Sequence, residues 1–541
     1  MKQSFDLAVI GSGFGGTLAA MIGAKIGLSV VLIEKGKHPR FAIGESSTPI
    51  ANLLLEELAT RYDLPRLLPL TSWGSWQRSY PQVACGLKRG FTFFHHQSGR
   101  PCIRDVRHTN ELLVAASPCD ELSDTHWYRS DFDAFLVAEA REVGVTYWDQ
   151  THVQHCRTGA GGTEMEGTRK SRPVSAIARF VVDATGPRGV LHHHLRLDEG
   201  AFPGFPGAAS LYSHFENVAP VPGAPHSPFC PAGEPYPADA AALHHVFKEG
   251  WMWVLRFNNG IISAGIAVDR AQERTFGLQT GAPGWSRFLE RYPSIQEQFL
   301  TSRPTRDFSY VPRLAFRSER AVGPQWALLP ATAGFVDPLL STGFVLNLLG
   351  IQRMALIFEE LRSKRPLQPS LTRYETQTFQ ELDTAALLIG SLYRTTADFE
   401  IFSQLTLLYF AAASYAETMR RLGNPQRANS FLLCDNARFV SGFRQCCQLA
   451  RAEKSLETSK RLHRLIQKTI APYDVAGLTD RGKNNWFPVD FEDLRRATPR
   501  LGLNPDRVER LIVEAEAACN KGVGPSMSGK HPAALASRVQ R

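Results

Sequence analysis

The sequence lacks several features that mark other classes of protein. Its nine cysteines are odd in number and scattered, with no CxxC pair, so neither a disulfide framework nor a zinc site is expected. No basic run is interleaved with aromatic residues, and the net charge of +9 is a small difference between 61 basic and 52 acidic residues. Binding to nucleic acid is therefore not expected.

Long hydrophobic runs and internal repeats are also missing. The apolar stretch 7–24 is interrupted by glycines and follows no clustered basic region, so it does not read as a signal segment. No run reaches the length of a membrane span, and a cytoplasmic location is expected. With 541 residues, 43% of them hydrophobic, the chain has the length of two to four globular domains.

A strand–turn–helix–strand unit opens the chain. Residues 4–10 are apolar and end at glycines, residues 17–25 have the small side chains of a packed helix, and residues 28–34 form a second apolar strand. This order is that of a dinucleotide-binding domain. A second strand of the same kind is predicted at residues 180–186.

The turn of this unit matches GxGxxG. Gly11 permits the tight turn, Gly13 the close approach of a pyrophosphate, and Gly16 the packing of helix on strand. Glu34 can accept hydrogen bonds from ribose hydroxyls. An ordinary glycine turn is the alternative, but the context favours a nucleotide site. The residues expected to contact the nucleotide are Gly11, Gly13, Phe14, Gly16, Glu34 and Lys35.

Two later segments favour FAD over NAD. Val182–Gly186 resembles the second nucleotide motif of FAD proteins of the glutathione-reductase type, and Arg129–Asp133 opens a helix as in the same superfamily. There Arg129 would face the flavin; a surface helix start is the alternative. The resemblance implies an α/β fold, in which a glutathione-reductase-type Rossmann domain is interleaved with a mixed-sheet substrate domain and followed by a mostly helical C-terminal region.

The order of these segments predicts interleaved domains. The boundaries expected are an FAD-binding module at about 1–75, 126–190 and 316–360, a substrate domain at about 76–125 and 191–315, and a helical region at 361–541 with a flexible tail from about 521.

Three segments together resemble the flavin-dependent halogenases. Residues 44–49 resemble the GES loop that borders the flavin, residues 251–256 the WxWxIP signature, and residues 335–343 the FIDPLxSTG loop. Matches recur in family order from residue 6 to about 360, and residues 243–259 are most similar to halogenases of aromatic polyketides. The further flavin contacts implied are Glu45, Ser46, Arg129, Asp337 and Gly343.

The resemblance implies a reaction and its partners. Reduced FAD reacts with O2 to give a hydroperoxide, chloride or bromide attacks it, and hypohalous acid reaches an electron-rich phenolic, pyrrolic or polyketide substrate, free or bound to a carrier protein. A separate NAD(P)H:flavin reductase would supply FADH2. The halide would bind the backbone amides of Thr342 and Gly343, unless this turn is only a helix cap.

Lys88 is the candidate catalytic residue by the same resemblance. It would orient the oxidant by a hydrogen bond or carry it as a chloramine. If residues 85–94 form one strand, alternation places Lys88 on the side of Gly90 and Thr92, opposite Phe91 and Phe93.

Three departures from the family pattern stand out. Arg256 replaces the proline of WxWxIP, and we expect it between the flavin and Lys88, bound to an anionic substrate group or a neighbouring carboxylate. Leu340 replaces the glutamate of tryptophan-specific members, and Pro330–Ala331 replaces the usual Gly-Asp. Trp251 and Trp253 share a strand face and would keep the substrate away from the flavin.

Histidine pairs invite a metal interpretation that the spacing does not support. Adjacent residues of a strand face opposite ways, and HExxH is missing around His95–His96, His244–His245 and His192–His194. A substrate-pocket base at His95 or His96 is the alternative. The predicted substrate pocket comprises His95, Trp251, Trp253 and Arg256.

Two other functions remain open at this point. A flavin monooxygenase would transfer oxygen directly to an aromatic substrate, and a flavin dehydrogenase or maturation flavoprotein would oxidise a protein or lipid partner.

Overall fold

The computed structural model describes residues 3–159, 161–205, 207–221, 233–452 and 455–521. The strands in these ranges are β1 Gln3–Ile10, β2 Val30–Ile33, β3 Cys85–Lys88, β4 Gly90–His96, β5 Glu111–Ala115, β6 Asp124–Trp127, β7 Thr146–Trp148, β8 Thr151–Gly159, β9 Gly162–Arg169, β10 Arg172–Asp183, β11 Glu199–Gly200, β12 Ala208–Glu216, β13 Ala242–Phe247, β14 Gly250–Arg256, β15 Ile262–Asp269, β16 Arg303–Pro304, β17 Ser309–Val311, β18 Phe316–Ser318, β19 Val322–Gly323, β20 Trp326–Leu328, β21 Gly334–Phe335 and β22 Trp486–Phe487.

The α-helices of the same ranges are α1 Phe14–Lys25, α2 Pro49–Arg61, α3 Trp73–Ser79, α4 Arg129–Glu142, α5 Val190–His194, α6 Glu273–Phe276, α7 Ala282–Arg291, α8 Pro293–Phe299, α9 Pro330–Ala333, α10 Thr342–Arg362, α11 Gln368–Tyr393, α12 Phe399–Arg421, α13 Ala437–Ala450, α14 Leu456–Ile470, α15 Phe491–Arg500 and α16 Pro505–Lys521.

The nucleotide-binding sheet is built around β1. Strand order is β19-β20-β10-β1-β2-β7, with the hairpin of β8 and β9 beside β10. β1 runs parallel to both β2 and β10. Residues 7–10 and 30–33 are buried on both faces, which is why these strands are continuous apolar runs without alternation. The dinucleotide-binding domain predicted from the opening unit is confirmed.

The second large sheet carries the substrate side of the molecule. Its order is β16-β12-β15-β14-β13-β4-β5-β22, with β17 on β12. Most pairs are antiparallel, but β13 runs parallel to β4 and β22 parallel to β5, so the predicted mixed sheet is confirmed. One face packs on α7 and α8 through Phe94, Phe247 and Phe288. Phe91 and Phe93 lie on the other face, against α12.

The C-terminal region is mostly helical, as predicted, with α11 and α12 as its longest helices. It also supplies β22, which the sequence did not predict. Within the described ranges, one helix, Leu339–Arg362, is long and apolar enough to cross a membrane by composition; most of it is buried inside the protein, the environment of a core helix. Beyond residue 521, the predicted tail lies outside the described residues.

A disulfide joins Cys119 to Cys519, which are 400 residues apart in sequence. The expectation that the cysteines form no such bond is therefore wrong at this pair. Cys119 lies just before β6 and Cys519 lies in α16, so only the folded chain brings them together. Spacing along the sequence carries no sign of a bond between such distant positions.

Candidate active site

The glycine turn leaves no room for side chains. Gly11 has a φ of +99°, and a Cβ there would lie 2.7 Å from the carbonyl oxygen of Ala184 at the end of β10. A Cβ on Gly16 would overlap the carbonyl oxygen of Gly11. Gly13 precedes α1 with a φ of −67°, so its role is space and not a positive φ. The amino end of α1 therefore offers free amides to a diphosphate.

Glu34 ends β2 beside this turn. Its carboxylate accepts hydrogen bonds from the Ser12 amide at 3.0 Å and the Gly36 amide at 2.8 Å, and it pairs with Arg40 at 3.2 Å. Burial raises the pKa of Glu34, but Arg40 and the amides outweigh it and the pKa is lowered. The group is an ionised acceptor, as a ribose site requires. Lys35 is exposed.

Arg129 connects the glycine turn to the 44–49 loop. Its guanidinium forms two hydrogen bonds with Asp133, at 2.8 and 2.7 Å, and donates to the carbonyl oxygen of Gly44 at 2.9 Å. It lies over the ring of Phe14, and a Cβ on Gly13 would lie 3.2 Å from its Nη2. Arg129 is thus buried at the nucleotide turn, and it is not a surface helix start. Phe14 is a core contact.

The 44–49 loop is fixed from two sides, by β6 of the two-stranded β3–β6 sheet and by β12 of the substrate sheet. The Trp127 amide donates to the carbonyl oxygen of Glu45 at 2.6 Å. The Glu45 carboxylate pairs with His214 of β12 at 2.9 Å. Both side chains are buried. The loop is therefore held against β6 on one side and against the substrate sheet on the other.

Lys88 is completely buried against this loop. Its Nζ donates to Ser46 Oγ at 2.9 Å and to the carbonyl oxygen of Ser47. It also lies 3.9 Å from the centre of the Phe91 ring. The prediction that Lys88 and Phe91 face opposite ways is wrong, because the strand breaks at Arg89 and β3 and β4 pair with different partners.

Burial controls the titration of this lysine. It lowers the pKa of Lys88 to about 7, although the nearby Asp124 carboxyl acts in the opposite direction. A lysine with a pKa in this range can change its charge near neutral pH, which is typical of reactive sites. Lys88 is thus a functional candidate on electrostatic grounds as well as by its position.

The side chain of Asp337 is bound by other groups of the protein. Its carboxylate accepts hydrogen bonds from Tyr393 at 2.8 Å, from Trp251 at 3.2 Å and from the Leu339 amide at 3.0 Å. Burial raises the pKa of Asp337 to about 7. The carboxylate instead ties the 335–343 loop to β14 and to the end of α11.

The 335–343 loop ends in a bend that leads directly into the amino end of a helix. Leu340 and Ser341 both have positive φ, 66° and 54°, and α10 begins at Thr342. The first amides of a helix have no carbonyl partner within it. A Cβ on Gly343 would meet nothing within 4 Å, so there is free space beside its Cα, whereas Thr342 is buried. Leu340 is buried.

The predicted substrate-pocket residues lie in different surroundings. Trp251 and Trp253 lie on one face of β14 with ring centres 5.7 Å apart, and Trp253 donates to Ser263 at 3.2 Å. His95 is half-buried and stacks on Phe399 of α12 at 5.3 Å; burial lowers its pKa.

Arg256 is bound by the protein itself. Its guanidinium pairs with Asp239 at 2.7 Å and donates to the carbonyl oxygens of Val218 at 2.9 Å and Ala219 at 2.5 Å. Of the two partners expected, the structure shows the neighbouring carboxylate. These contacts fix the end of β14 to the segment after β12.

The histidines do not assemble a metal site. His96 and His245 form a hydrogen bond at 2.9 Å, on the sheet face that packs on α8. In the part of the chain that the structure describes, no group of three or more potential ligands could hold a metal ion.

Three buried polar residues of the site escaped sequence reasoning: Asp124, His214 and Tyr393. Each meets its partner across a sheet or from the C-terminal region, so no local spacing indicates it. Tyr393 lies at the end of a long amphipathic segment, where the sequence pattern is typical of a core position. For Asp124 the sequence carries no such signal, because β6 is mostly polar in composition although all four of its residues are buried.

Comparisons with known proteins place this geometry in a family. The family model described as tryptophan halogenase matches residues 124–402. The chain is 30% identical over 416 residues to the monodechloroaminopyrrolnitrin halogenase PrnC of Pseudomonas fluorescens, covering 75% of this chain and 71% of the relative. It is also 30% identical over 372 residues to the tetracycline 7-halogenase of Kitasatospora aureofaciens, covering 66% of this chain and 65% of the relative.

Solved structures agree with these relatives. The crystal structure of halogenase PltM in complex with phloroglucinol and FAD superposes with a TM-score of 0.79 at 27% identity, covering 89% of this chain and 99% of that chain. The chain belongs to the flavin-dependent halogenase family and is an FAD-dependent enzyme. The narrow glycine turn, the Glu34 carboxylate and buried Arg129 fit the adenosine diphosphate part of FAD.

Proposed function

We propose that this chain is an FADH2-dependent halogenase that uses O2 and chloride or bromide to halogenate an electron-rich aromatic substrate. The observation that carries the proposal is Lys88, a fully buried amine hydrogen-bonded to the 44–49 loop. A phenolic, pyrrolic or polyketide substrate is in keeping with the relatives, which include the PltM complex with phloroglucinol and a pyrrole-2-carbonyl carrier-protein brominase of Pseudoalteromonas luteoviolacea.

The halide site of this proposal is the amino end of α10. Bound reduced flavin, with O2 and halide, supplies hypohalous acid. The amides of Thr342 and Gly343 provide partial positive charge without an acidic proton, which suits a halide. The lack of a side chain at Gly343, with nothing within 4 Å of a Cβ added there, allows close approach to this turn.

Lys88 acts at the substrate end in this proposal. As an ammonium it donates a hydrogen bond to the oxygen of hypohalous acid, which makes the halogen more electrophilic. Trp251 and Trp253 form a buried wall on the substrate sheet, and this wall keeps the aromatic substrate away from the flavin. The contacts of Arg256 give it a structural role in place of anion binding.

The proposal also includes a reductase partner, the domain boundaries, a cytoplasmic location and the kind of substrate. The sequence contains a single GxGxxG turn, which the FAD site uses, so a separate NAD(P)H:flavin reductase would supply the reduced cofactor. We assign the residues before 361 to interleaved FAD and substrate domains with the boundaries given above, and we place the enzyme in the cytoplasm. The substrate is a small aromatic molecule, either free or tethered to a carrier protein.

The test uses the full chain with chemically reduced FAD and O2, with bromide or chloride, over a panel of phenols, pyrroles and indoles. Mass spectrometry should show halogenated product that depends on halide and on protein. Lys88→Ala should still generate free hypohalous acid but not halogenate the substrate. Oxygenated product without halide would overturn the proposal in favour of a monooxygenase, and oxidation without oxygen insertion would favour a dehydrogenase.

A further inference from the structure

Lys88 has a carboxylate directly across from it. β3 and β6 form an antiparallel pair in which Lys88 lies opposite Asp124. Cross-strand partners of this kind have Cβ atoms roughly 5 Å apart and interact on the same face of the sheet. Both side chains are buried, Lys88 at 0% and Asp124 at 3% exposure. Two charged groups at such positions cannot be solvated by water, so each depends on the other.

The carboxylate is only partly satisfied by hydrogen bonds. Asp124 Oδ1 accepts from the Asn52 side-chain amide at 3.3 Å, whereas Oδ2 is buried without a partner among the described residues. Asn52 in turn accepts from Ser47 Oγ at 2.5 Å, and the carbonyl oxygen of Ser47 accepts from Lys88. Amine and carboxylate therefore belong to one polar network, joined through Asn52 and Ser47, and the two charges act on each other at a distance and not in a direct ion pair.

We propose that Asp124 is a positioning residue that holds a large share of the Lys88 amine in its protonated form at neutral pH, so that the ammonium can donate to hypohalous acid during halogen transfer. This inference rests on the proposed function. It assigns to Asp124 the part of a buried counter-ion for Lys88.

The other described groups near the pair do not act as the counter-ion of Lys88. The other titratable or charged groups that face it are His126, His244, Tyr409, Glu417 and Arg421. Burial lowers the pKa of both histidines and raises the pKa of the tyrosine, so all three are neutral at pH 7. Glu417 and Arg421 pair with each other at 2.8 Å. Burial raises the pKa of Asp124 well above its ordinary value, and the Lys88 ammonium acts in the opposite direction. Lys88 and Asp124 therefore favour each other's charged form, and the proposal requires that Asp124 is ionised while Lys88 is protonated.

The transfer step balances with the carboxylate unchanged. The aromatic carbon attacks the halogen of hypohalous acid, so a carbon–halogen bond forms and the oxygen–halogen bond breaks. The leaving oxygen takes a proton from the Lys88 ammonium and becomes water. The ring carbon then loses its proton, which returns to the Lys88 amine. Burial lowers the pKa of Lys88 to about 7 even with Asp124 beside it, so without the carboxylate the amine would be neutral at the start.

The test is the pH profile of halogen transfer in Asp124→Asn, which keeps the shape of the side chain and removes its charge. The fraction of oxidant that ends in product, rather than as free hypohalous acid, is measured from pH 5 to 9 with chemically reduced FAD. In the variant the alkaline midpoint should move down by one unit or more, and transfer should recover as the pH falls. A purely structural defect would not recover in this way.

Matched variants give the sign and the control. Asp131→Asn removes a carboxyl that accepts from the Ala84 amide at 3.2 Å, next to β3, and should leave the midpoint unchanged. Asn52→Ala removes the amide that donates to Asp124 Oδ1, which makes ionisation of the carboxyl less favourable, and should move the midpoint down by less than Asp124→Asn does. This variant also decides the question if Asp124→Asn does not fold, since an unchanged midpoint there would overturn the proposal.

A measurement without flavin separates this inference from the proposed function. A lone buried lysine is more easily tolerated when neutral, so the difference in unfolding midpoint between wild type and Asp124→Asn should shrink as pH rises from 5 to 9. A constant difference, or a pH-independent loss of transfer in the variant, would overturn the role of Asp124. Full product formation by Lys88→Ala would instead overturn the role of Lys88 in the proposed function, whatever Asp124→Asn does.

Discussion

The two ends of the site are built by different means. The nucleotide end consists of backbone groups from one short stretch, the turn at residues 11–16, where the lack of side chains is the functional feature. The Lys88 end consists of side chains that come from the 44–49 loop, α2 and β6. The nucleotide end should therefore tolerate almost no change of shape, whereas the Lys88 end should be sensitive to changes of charge.

The largest effect is expected at the Lys88 end. Lys88→Ala should lower substrate halogenation by roughly a hundred- to ten-thousand-fold, the range for losing a positioned proton donor, while FAD content stays at the wild-type level. Lys88→Arg keeps the charge but alters the geometry of the donors, and partial activity is expected. The assay compares product and free oxidant in the same reaction, and bound FAD is measured by absorbance. Loss of FAD from Lys88→Ala would show that the two ends are not independent.

The nucleotide end should fail through shape. Gly16→Ala places a methyl group on the carbonyl oxygen of Gly11, so the purified protein should lose FAD and about 1–3 kcal/mol of stability. Gly161→Ala is the control, because the added carbon would meet only the Ile177 side chain at 3.9 Å, and it should retain FAD. Flavin absorbance and denaturant unfolding report both quantities. Full flavin content in Gly16→Ala would contradict the assignment of the turn.

The disulfide extends the comparison to the C-terminal region. Cys519→Ser releases α16 from the segment before β6 and should cost about 2–4 kcal/mol, the usual contribution of such a bond. FAD binding should be unaffected, because α16 packs mainly on α15 and on residues 120–122. Differential unfolding with and without a reductant measures the effect. Wild type should lose the same stability on reduction, whereas Cys519→Ser, which lacks the bond, should not respond to reductant. Cys434→Ser removes a buried free thiol and retains the disulfide, so it should respond to reductant as wild type does.

An effect that depends on pH is expected between the two ends, at Asp337. Its pKa in the folded chain, about 7, lies above the ordinary value of 3.8, so folding favours the protonated form. The associated stability is present at low pH and is lost as the pH rises from about 4 to about 7, at up to about 1.4 kcal/mol per unit. Asp337→Asn should remove this dependence. If the assignment is wrong, the unfolding midpoint will change by the same amount between pH 5 and pH 7 in wild type and in Asp337→Asn.

The features that could be predicted from the sequence are those that depend on residues close together along the chain. The glycine turn, the Rossmann order and the helical C-terminal region follow from local spacing and apolar runs. Asp124, Tyr393 and the Cys119–Cys519 bond could not be predicted, because each contact joins residues that only the folded sheets bring together. The orientation of Lys88 was mispredicted for a related reason: the break at Arg89 arises when β3 and β4 join different sheets, and no residue type in the sequence marks it.

One strand of the C-terminal region sets the order in which the protein can be completed. β22 is the edge partner of β5, yet 372 residues separate the end of one from the end of the other. At ordinary rates of synthesis, roughly 20 to 70 s pass before residue 487 leaves the ribosome. During this interval β5 presents an open hydrogen-bonding edge that invites pairing with other chains. Shortened chains that end before residue 486 should therefore accumulate as aggregates, however complete their flavin-binding residues are.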